Sequence, residues 1–541
     1  MEPFYGFDSH NRRLTPLRLS VLAVAAAVLA PMVFLSCLAA GGSRFMALSI
    51  IFALSAPTGR FALRLIPPRL PEGARFQRIV FVLWIALGAL AAYRVVSLGV
   101  FMLDVEKIEY AMDPPMRESD DPQMMKPFFV THNCFTCYLV AAELAKQNVE
   151  NIYDPARYRD AEEKTVIHET IGDALRIDRY QYPPPFLLLP RLLLATGGDF
   201  FQIRTYWFAI NVLVFSVTVA ALIVWLHGPQ FGVCWLAWPI LLATPTTLST
   251  LQIGNAHLFV ICLSILAMLC FETRRAKLGG ALLAFAVVSK IFPGLLLVYL
   301  LARRRWWDVG WTIAAMFALC AATLATFGMH PFTAFVSYQL PRIVSGEAFS
   351  FAFEYIRPLS LNWSVMGIVA KLDKLGWLGA IETGQALKIV SWLYSGLLLL
   401  IVVSVGLRHG LYTPSMHRNV RGSGMRLRFA RVWLVILVLA QFRSPFLPWV
   451  YGGTAVLWLL LLLLPSGGPW LWRTALLGGA YLLISTHVPL PYGPPKSAFD
   501  LSYTLIVQLG VLALCLVLVM VELRGQSHGR STDQPGRSVA I

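Results

Sequence analysis

Long runs of apolar residues, separated by short basic loops, dominate this sequence. About 20 consecutive apolar residues are enough to cross the hydrocarbon core of a bilayer as a helix. No water is present in that core, so each backbone N–H and C=O group must be satisfied within the chain, as it is in a helix. The runs therefore predict an all-α polytopic membrane protein.

The apolar runs also predict how many spans there are. Only 14% of the 541 residues are charged, against about 25% in soluble domains. Several runs are shorter than a full span, which favours half-helices or helices supported by neighbours. We predict about 12–14 spans, from these runs: Leu19–Ala40, Ala47–Leu63, Ile79–Leu103, Trp207–Leu226, Val233–Thr244, Leu258–Phe271, Leu278–Val288, Ile291–Ala302, Trp311–Phe327, Ile389–Leu407, Val432–Gln441, Trp449–Leu464, Trp470–Ser485 and Leu501–Val521.

Basic residues predict the orientation of the chain. The net charge of +16 does not indicate nucleic-acid binding, because the positive residues lie in short loops between apolar runs, where they act as cytoplasmic topology signals. Arg12, Arg13 and Arg18 place the N-terminus in the cytoplasm. The third span then exits on the outer side, and the longest hydrophilic segment, residues 104–205, follows there.

Four regions follow from this topology. Residues 1–78 form a cytoplasmic tail and two additional spans. Residues 79–464 form the transmembrane core and include the outer loop 104–205. Residues 465–523 form C-terminal spans, and residues 524–541 form a second cytoplasmic tail.

The first acidic residues after the third span are candidate catalytic groups. Asp104 and Glu106 are tethered to a helix end, and a catalytic group needs such support. A carboxylate there acts as a general base or holds a divalent cation, although a solvated acidic loop explains the same residues. No recognisable metal-ligand spacing appears, so no metal ligand and no certain cofactor is assigned, and a divalent cation stays open.

A Cys-x-x-Cys pair lies further along the outer loop. Cys134 and Cys137 have no second ligand pair nearby, so two small residues on a loop helix explain them better than a redox or zinc site. From Tyr138 onward, helical spacing predicts a helix that lies flat on the membrane surface.

Other outer turns carry polar and aromatic residues. Lys290 lies between two apolar half-spans, where a charge is expensive and usually functional. It can bind a phosphate as a point charge or extend to the interface. The loop Thr244–Asn255 carries Asn255 next to His257, and amide groups there can bind sugar hydroxyls. Arg443, close to Trp449, supplies a second cation beside an aromatic platform.

Short motifs on the predicted outer side follow one another in a recognisable order. Together they resemble glycosyltransferase family 87 of the GT-C class, a family of bacterial membrane proteins. The motifs are Tyr138 with Ala141-Ala142, Tyr153-Asp154-Pro155, Tyr182-Pro183-Pro184, Gly254-Asn255-Ala256-His257, Lys290 with Pro293, Asn362-Trp363-Ser364 with Gly367, and Ser444-Pro445 with Trp449.

The resemblance implies a GT-C-like helix bundle that moves one hexose or pentose from a polyprenyl-phosphate donor to a lipid or glycan acceptor, with inversion. The implied partners are this donor, a glycolipid or glycan acceptor and membrane lipids, with no nucleic acid. The implied location is the bacterial inner membrane, with an extracytoplasmic active site. The predicted substrate-binding residues are Asn133, Tyr138, Tyr180, Tyr182, Asn255, His257, Lys290, Asn362, Arg443 and Trp449.

One departure from the family pattern concerns the catalytic base. The family has an aspartate a few residues before the first-loop tyrosine, where this chain has His132-Asn133. We therefore predict Asp104 as the base, with Glu106 and His132 as rivals, since imidazole exchanges protons near neutral pH. A transporter or flippase of lipid-linked sugars is the alternative function, and a non-catalytic protein is a third reading.

Overall fold

The computed structural model describes residues 30, 33, 74–103, 132–158, 161–171, 175–226, 237–379, 382–411, 423–463, 478–479 and 498–524. These residues form helices and no strand. The α-helices are α1 (Ala74–Leu103), α2 (Phe135–Lys146), α3 (Val166–Ile171), α4 (Leu188–Leu194), α5 (Phe200–Leu226), α6 (Ala237–Ala243), α7 (Pro245–Ile253), α8 (His257–Glu272), α9 (Ala276–Ser289), α10 (Gly294–Ala302), α11 (Trp306–Phe327), α12 (His330–Ala334), α13 (Leu340–Ser345), α14 (Phe351–Glu354), α15 (Ile356–Leu361), α16 (Val365–Lys374), α17 (Thr383–Leu411), α18 (Ser423–Gln441), α19 (Trp449–Leu461) and α20 (Ala498–Arg524).

Shorter helical turns connect these elements. Three of them are 3₁₀ turns, and a π-helical segment continues α12 into α13. The 3₁₀ turns are Pro155–Arg157, Pro184–Leu187 and Glu347–Phe349, and the π segment is Phe335–Gln339. The first turn begins within the motif Tyr153-Asp154-Pro155, where the Asp154 carboxylate accepts from the backbone N–H of Ala156 at 3.0 Å.

Five helices are long and apolar enough to cross a bilayer: Val82–Met102, Phe200–Leu226, Trp306–Phe327, Thr383–Leu411 and Asp500–Arg524. This finding confirms the prediction of an all-helical, multi-pass membrane protein. The predicted spans Leu19–Ala40, Ala47–Leu63 and Trp470–Ser485 fall outside the residues that the structure describes, apart from scattered positions. The four-region division of the chain stays a prediction.

Helices α7 and α8 form a broken pair that bends by 108°. The break lies at Gly254, whose φ of +71° is a left-handed conformation that favours glycine. A Cβ at this position would also lie 3.1 Å from Oδ1 of Asn133. The sequence predicted a loop over Thr244–Asn255, but most of that segment is helix, because Thr244 caps α7 by accepting from the N–H of Thr247.

The first outer-loop helix, α2, is buried rather than exposed on one flat face. Ten of its twelve residues are buried, and its Phe135 ring stacks on Trp207 of α5, with 5.7 Å between the ring centroids. The prediction of a surface helix beginning at Tyr138 was therefore wrong. Its short alanine-rich face allows close packing, so the loop segment joins the protein core.

We predict that Gly406→Ala will destabilise the protein. A Cβ at Gly406 of α17 would lie 2.5 Å from Cβ of Ala302 and 2.9 Å from the carbonyl oxygen of Tyr299, both on α10. Overpacking of this kind costs about 1–3 kcal/mol. The midpoint of thermal unfolding in detergent should therefore fall by several degrees.

Gly396→Ala is the matched control, because the same helix has nothing within 4 Å of a Cβ at that position. This variant should be neutral or slightly stabilising, since alanine favours helix more than glycine does. Equal thermal midpoints for the two variants would contradict the close packing of α10 against α17.

Candidate active site

The loop that precedes α2 is bonded to the turn between α7 and α8. The backbone N–H of Cys134 donates to the carbonyl of Ile253 at 2.8 Å. The Asn133 side chain donates to the carbonyl of Gln252 at 3.1 Å and accepts from the N–H of Phe135 at 2.9 Å. Residues predicted from two distant parts of the sequence therefore meet at this turn.

Two tyrosines form the wall of the site. The hydroxyls of Tyr138 and Tyr182 are 2.6 Å apart, and their rings meet edge to face with centroids 4.9 Å apart. The Tyr138 hydroxyl also accepts from the N–H of Ala256 at 3.2 Å. The Tyr153 hydroxyl donates to the carbonyl of Tyr182 at 2.9 Å, and this bond holds the backbone of the Tyr-Pro-Pro segment in place.

Lys290 points its ammonium into the same place. It follows the last residue of α9, and its Nζ donates to Oδ1 of Asn255 at 3.0 Å. The same Nζ lies 3.4 Å from Nδ1 of His257 and 5.1 Å and 5.9 Å from the ring centroids of Tyr182 and Tyr451. The cation is therefore surrounded by dipoles and ring faces, which are neutral partners.

The hydrogen-bond network fixes the role of His257. Gln441 donates its amide N–H to the carbonyl of Leu437 at 3.0 Å, so its Oε1 serves as the acceptor at 2.6 Å from Nε2 of His257. The proton of the neutral imidazole therefore lies on Nε2. Nδ1 carries the lone pair and accepts from Lys290.

Lys290 is a half-buried cation without an anionic partner among the described residues. In the part of the chain that the structure describes, no carboxylate lies within ion-pair distance of its Nζ. Burial lowers the pKa of the Lys290 ammonium to about 8, because desolvation disfavours the charged form. A bound anion would compensate the charge, so the arrangement is suited to an anionic group such as a phosphate.

A histidine and an aspartate lie close together near this cation. Nε2 of His132 lies 3.3 Å from Oδ2 of Asp178, and their side chains are 16% and 28% exposed, so a substrate can reach them. Residues 132 and 176 form a parallel backbone bridge. The N–H of Asp178 donates to the Thr136 hydroxyl at 3.2 Å. The pair is therefore held by backbone on both sides.

Asn255 connects the cation with the histidine loop. Its Oδ1 accepts from Lys290, and its Nδ2 donates to Sγ of Cys134 at 3.3 Å. The Tyr451 hydroxyl lies 3.2 Å from the same sulfur. Burial raises the pKa of the Cys134 thiol well above its usual range. One amide therefore bridges the two halves of the site.

Asn362 lies at a second junction, in which its amide bonds backbone. Its Nδ2 donates to the carbonyl of Pro445 at 3.1 Å, and its Oδ1 accepts from the N–H groups of Ser364 and Leu447 at 2.9 and 3.1 Å. This junction precedes α19, the helix that carries Tyr451 into the site. A place for Asn362 in a sugar pocket stays a prediction.

The remaining predicted residues have other surroundings. Nε of Arg443 donates to the Ser395 hydroxyl at 2.6 Å, and no described contact joins it to Lys290. Trp449 is the buried first residue of α19. Tyr180 packs beside Tyr182, with ring centroids 5.8 Å apart. Asp104 and Glu106 lie outside the described residues, so their roles stay predictions.

The sequence pattern did not predict a functional role for four residues of the site: Cys134, Asp178, Gln441 and Tyr451. Tyr451 follows Trp449 by two residues, so the motif Ser444-Pro445 with Trp449 could have drawn attention to it. Asp178 has no local signal except that it precedes the Tyr-Gln-Tyr-Pro segment. Its importance comes from the tertiary fold, which brings it to His132.

Part of the chain around this site matches a known protein family. Residues 180–421 match the model of glycosyltransferase family 87. Over these residues the match agrees with the family resemblance of the motifs, and this family implies a membrane glycosyltransferase. It covers less than half of the chain. No curated protein and no solved structure matches the chain.

The matched region contains the cation and one of the two wall tyrosines. Tyr182, Asn255 and Lys290 all lie within residues 180–421. Cys134 precedes this region and Tyr451 follows it, yet Cys134 contacts Asn255 and Tyr451 lies beside Lys290, which are both residues of the region. The site is therefore assembled from three parts of the chain, of which the family match covers the central one.

We predict that Lys290 binds a phosphodiester and that the affinity falls as the pH rises through about 8. Below that pH the ammonium is charged, and above it the charge is lost. A short-chain dialkyl phosphate is the best probe, because its single charge is constant over this range. Its affinity can be measured by thermal shift in detergent between pH 6 and 9.

Two substitutions test the assignment. Lys290→Arg should keep the affinity above pH 8, because an arginine stays charged there. Lys290→Met should weaken binding about tenfold to a hundredfold at pH 7, the range expected for a lost charged hydrogen bond. Identical pH profiles for the wild type and Lys290→Arg would contradict a role for the Lys290 charge.

Proposed function

We propose that this protein transfers a single hexose or pentose from a polyprenyl-phosphate donor to a lipid or glycan acceptor, with inversion at the anomeric carbon. The observation that carries this proposal is the half-buried Lys290 ammonium, which has neutral partners in a family 87 region and lies beside aromatic and amide groups. A phosphate linked to a sugar and a lipid offers a negative charge to the ammonium and apolar groups to the aromatic side chains beside it.

Lys290 stabilises the leaving phosphate in this mechanism. The acceptor oxygen forms a bond to the anomeric carbon, while the bond from that carbon to the phosphate oxygen breaks. Negative charge then grows on the polyprenyl phosphate, and the ammonium is already in place to stabilise it. Tyr182 and the amide of Asn255 contact the sugar in this mechanism, since both lie against the cation, and Tyr138 joins them through its hydroxyl contact with Tyr182.

His132 is the general base that the geometry favours. It takes the proton from the acceptor hydroxyl, and the carboxylate 3.3 Å away at Asp178 stabilises the imidazolium that forms. Asp178 thus supplies the carboxylate that the first-loop motif lacks. Asp104, which the sequence predicts as the base, and Glu106 are the alternatives to His132, because the first acids after a span are tethered to a helix end.

The reaction takes place on the extracytoplasmic face of a bacterial inner membrane. The positive-inside rule supports this orientation, because Arg12, Arg13 and Arg18 put the N-terminus in the cytoplasm and the loop 104–205 outside. A lipid-linked donor suits that face, since it needs no nucleotide sugar there.

The proposal predicts sugar transfer by the purified full-length protein in lipid. Synthetic polyprenyl-phosphate mannose, glucose and arabinose are tested with a total-lipid acceptor extract, and nucleotide sugars serve as the control donors. A new glycolipid is expected from one polyprenyl-phosphate donor and from no nucleotide sugar. No transfer from any lipid-linked donor by folded protein would contradict an enzyme and favour a transporter or flippase of lipid-linked sugars.

The same assay tests the base. His132→Ala and Asp178→Asn should lower kcat by about a hundredfold or more, the usual contribution of general base catalysis. Glu163→Gln is the matched control, because this exposed carboxylate lies in the same loop and pairs with Arg157; its kcat should not change. Full activity of His132→Ala would exclude His132 and leave Asp104 and Glu106 to be tested in the same way.

A further inference from the structure

Three side chains of different chemistry, one of them the proposed base, each place one possible ligand atom in the same small volume. The atoms are Nε2 of His132, Sγ of Cys134 and Oδ2 of Asp178, and all lie within 4.8 Å of one another. Nε2 lies 3.3 Å from the carboxylate oxygen and 3.4 Å from the sulfur. The proposed function uses the first and third groups and gives Cys134 no role.

These separations suit a tetrahedral metal ion. Bonds from zinc to nitrogen and oxygen are about 2.0–2.2 Å and those to sulfur about 2.3 Å. At a tetrahedral angle, ligand atoms on such bonds lie about 3.3–3.6 Å apart. The two distances from Nε2 fall within or next to this range, and the third pair, Sγ of Cys134 and Oδ2 of Asp178, lies within 4.8 Å.

The ligand atoms are held by groups outside the trio. The Thr136 hydroxyl donates to the carbonyl of Asn133 at 2.8 Å and accepts from the N–H of Asp178 at 3.2 Å, which joins the two segments. Asn255 donates to Sγ of Cys134 at 3.3 Å. A donor aimed at sulfur favours the thiolate that a metal binds, and such outer groups fix metal ligands in known sites.

We propose that His132, Cys134 and Asp178 bind one divalent transition-metal ion of the zinc type. A nitrogen, a sulfur and a carboxylate oxygen favour zinc or cobalt over magnesium and calcium, which prefer oxygen ligands. Three protein ligands leave a fourth position for water or substrate. The Cys134 thiol releases its proton to solvent when the metal–sulfur bond forms.

Metal binding has a consequence for the reaction that rests on the proposed function. A neutral imidazole that binds the ion through Nε2 keeps its one proton on Nδ1, and Asp178 then neutralises the ion instead of an imidazolium. Neither ring nitrogen has a free lone pair in that state, so His132 cannot act as a base while the metal is bound. Zinc should inhibit sugar transfer, and a chelator should restore it.

Cobalt titration of the full-length, EDTA-treated protein tests the site without any activity. One equivalent of Co²⁺ should produce a thiolate-to-cobalt charge-transfer band in the near ultraviolet. Cys134→Ser should lose this band, and Asp178→Asn should weaken binding at least about tenfold. Cys137→Ser is the matched control and should keep the band, because the Cys137 thiol donates to the carbonyl of Cys134 and is not part of the trio.

Three results of this titration would contradict the metal site. A missing band in the wild type, or a band unchanged in Cys134→Ser, would overturn the metal site. Equal loss in Cys137→Ser would also overturn it and point to the Cys-x-x-Cys pair as the ligand set.

The transfer assay tests the inhibitory role separately. Zinc should lower the wild-type rate by at least about tenfold at a concentration that saturates the cobalt-binding site, and it should have little effect on Cys134→Ser relative to that variant's own zinc-free rate. Stimulation by zinc would overturn the inhibitory role. Cobalt binding with no sugar transfer under any condition would overturn the proposed function and leave the metal site standing.

Discussion

The contact between Lys290 and Asn255 is the interaction on which the rest of the site depends. A cation in this position needs ligands, because an unpaired charge in a membrane protein interior is costly. The amide oxygen of Asn255 and Nδ1 of His257 supply them at 3.0 and 3.4 Å without neutralising the charge. The positive charge is thus retained for a substrate, and its partners hold it in one place.

The geometry of the chain follows from this requirement. Asn255 reaches Lys290 because the pair of helices α7 and α8 breaks at Gly254 and bends by 108°. The break also gives the loop before α2 a carbonyl to bond, since Cys134 donates to Ile253. Tyr451 arrives from α19, whose start is fixed by the backbone bonds of Asn362. Motifs from separate parts of the sequence therefore meet because their residues form hydrogen bonds at these turns.

The close approach of these segments explains why the same site is proposed both to transfer a proton and to bind a metal ion. In the proposed mechanism His132 and Asp178 form a base with its carboxylate, and the Cys134 sulfur 3.4 Å from the imidazole adds a third donor. The sulfur is needed for a metal and not for proton transfer. Its presence next to the base is therefore the feature that distinguishes a metal-sensitive site from an ordinary acid–base pair.

The sequence predicted the parts of this account that depend on the membrane. Apolar runs predicted the helical, multi-pass architecture, and the rarity of a charge between half-spans singled out Lys290. The sequence did not predict that α2 is buried, since its small residues pack equally well against protein or at a membrane surface. It also passed over Asp178, because only the tertiary fold brings this acid to His132. The contacts of Asn362 were beyond prediction for the same reason: its amide bonds backbone more than 80 residues away.

The most direct test of the central claim is to map where the donor lies. A polyprenyl-phosphate analogue with a photoreactive group on its first isoprene unit is cross-linked to the full-length protein in lipid, and the labelled peptides are identified by mass spectrometry. The account predicts label in segments 178–186 and 285–295, which carry Tyr182 and Lys290, and loss of that label in Lys290→Met. Label concentrated near Arg303, at the opposite end of α10 from Lys290, or label unchanged by Lys290→Met, would contradict it.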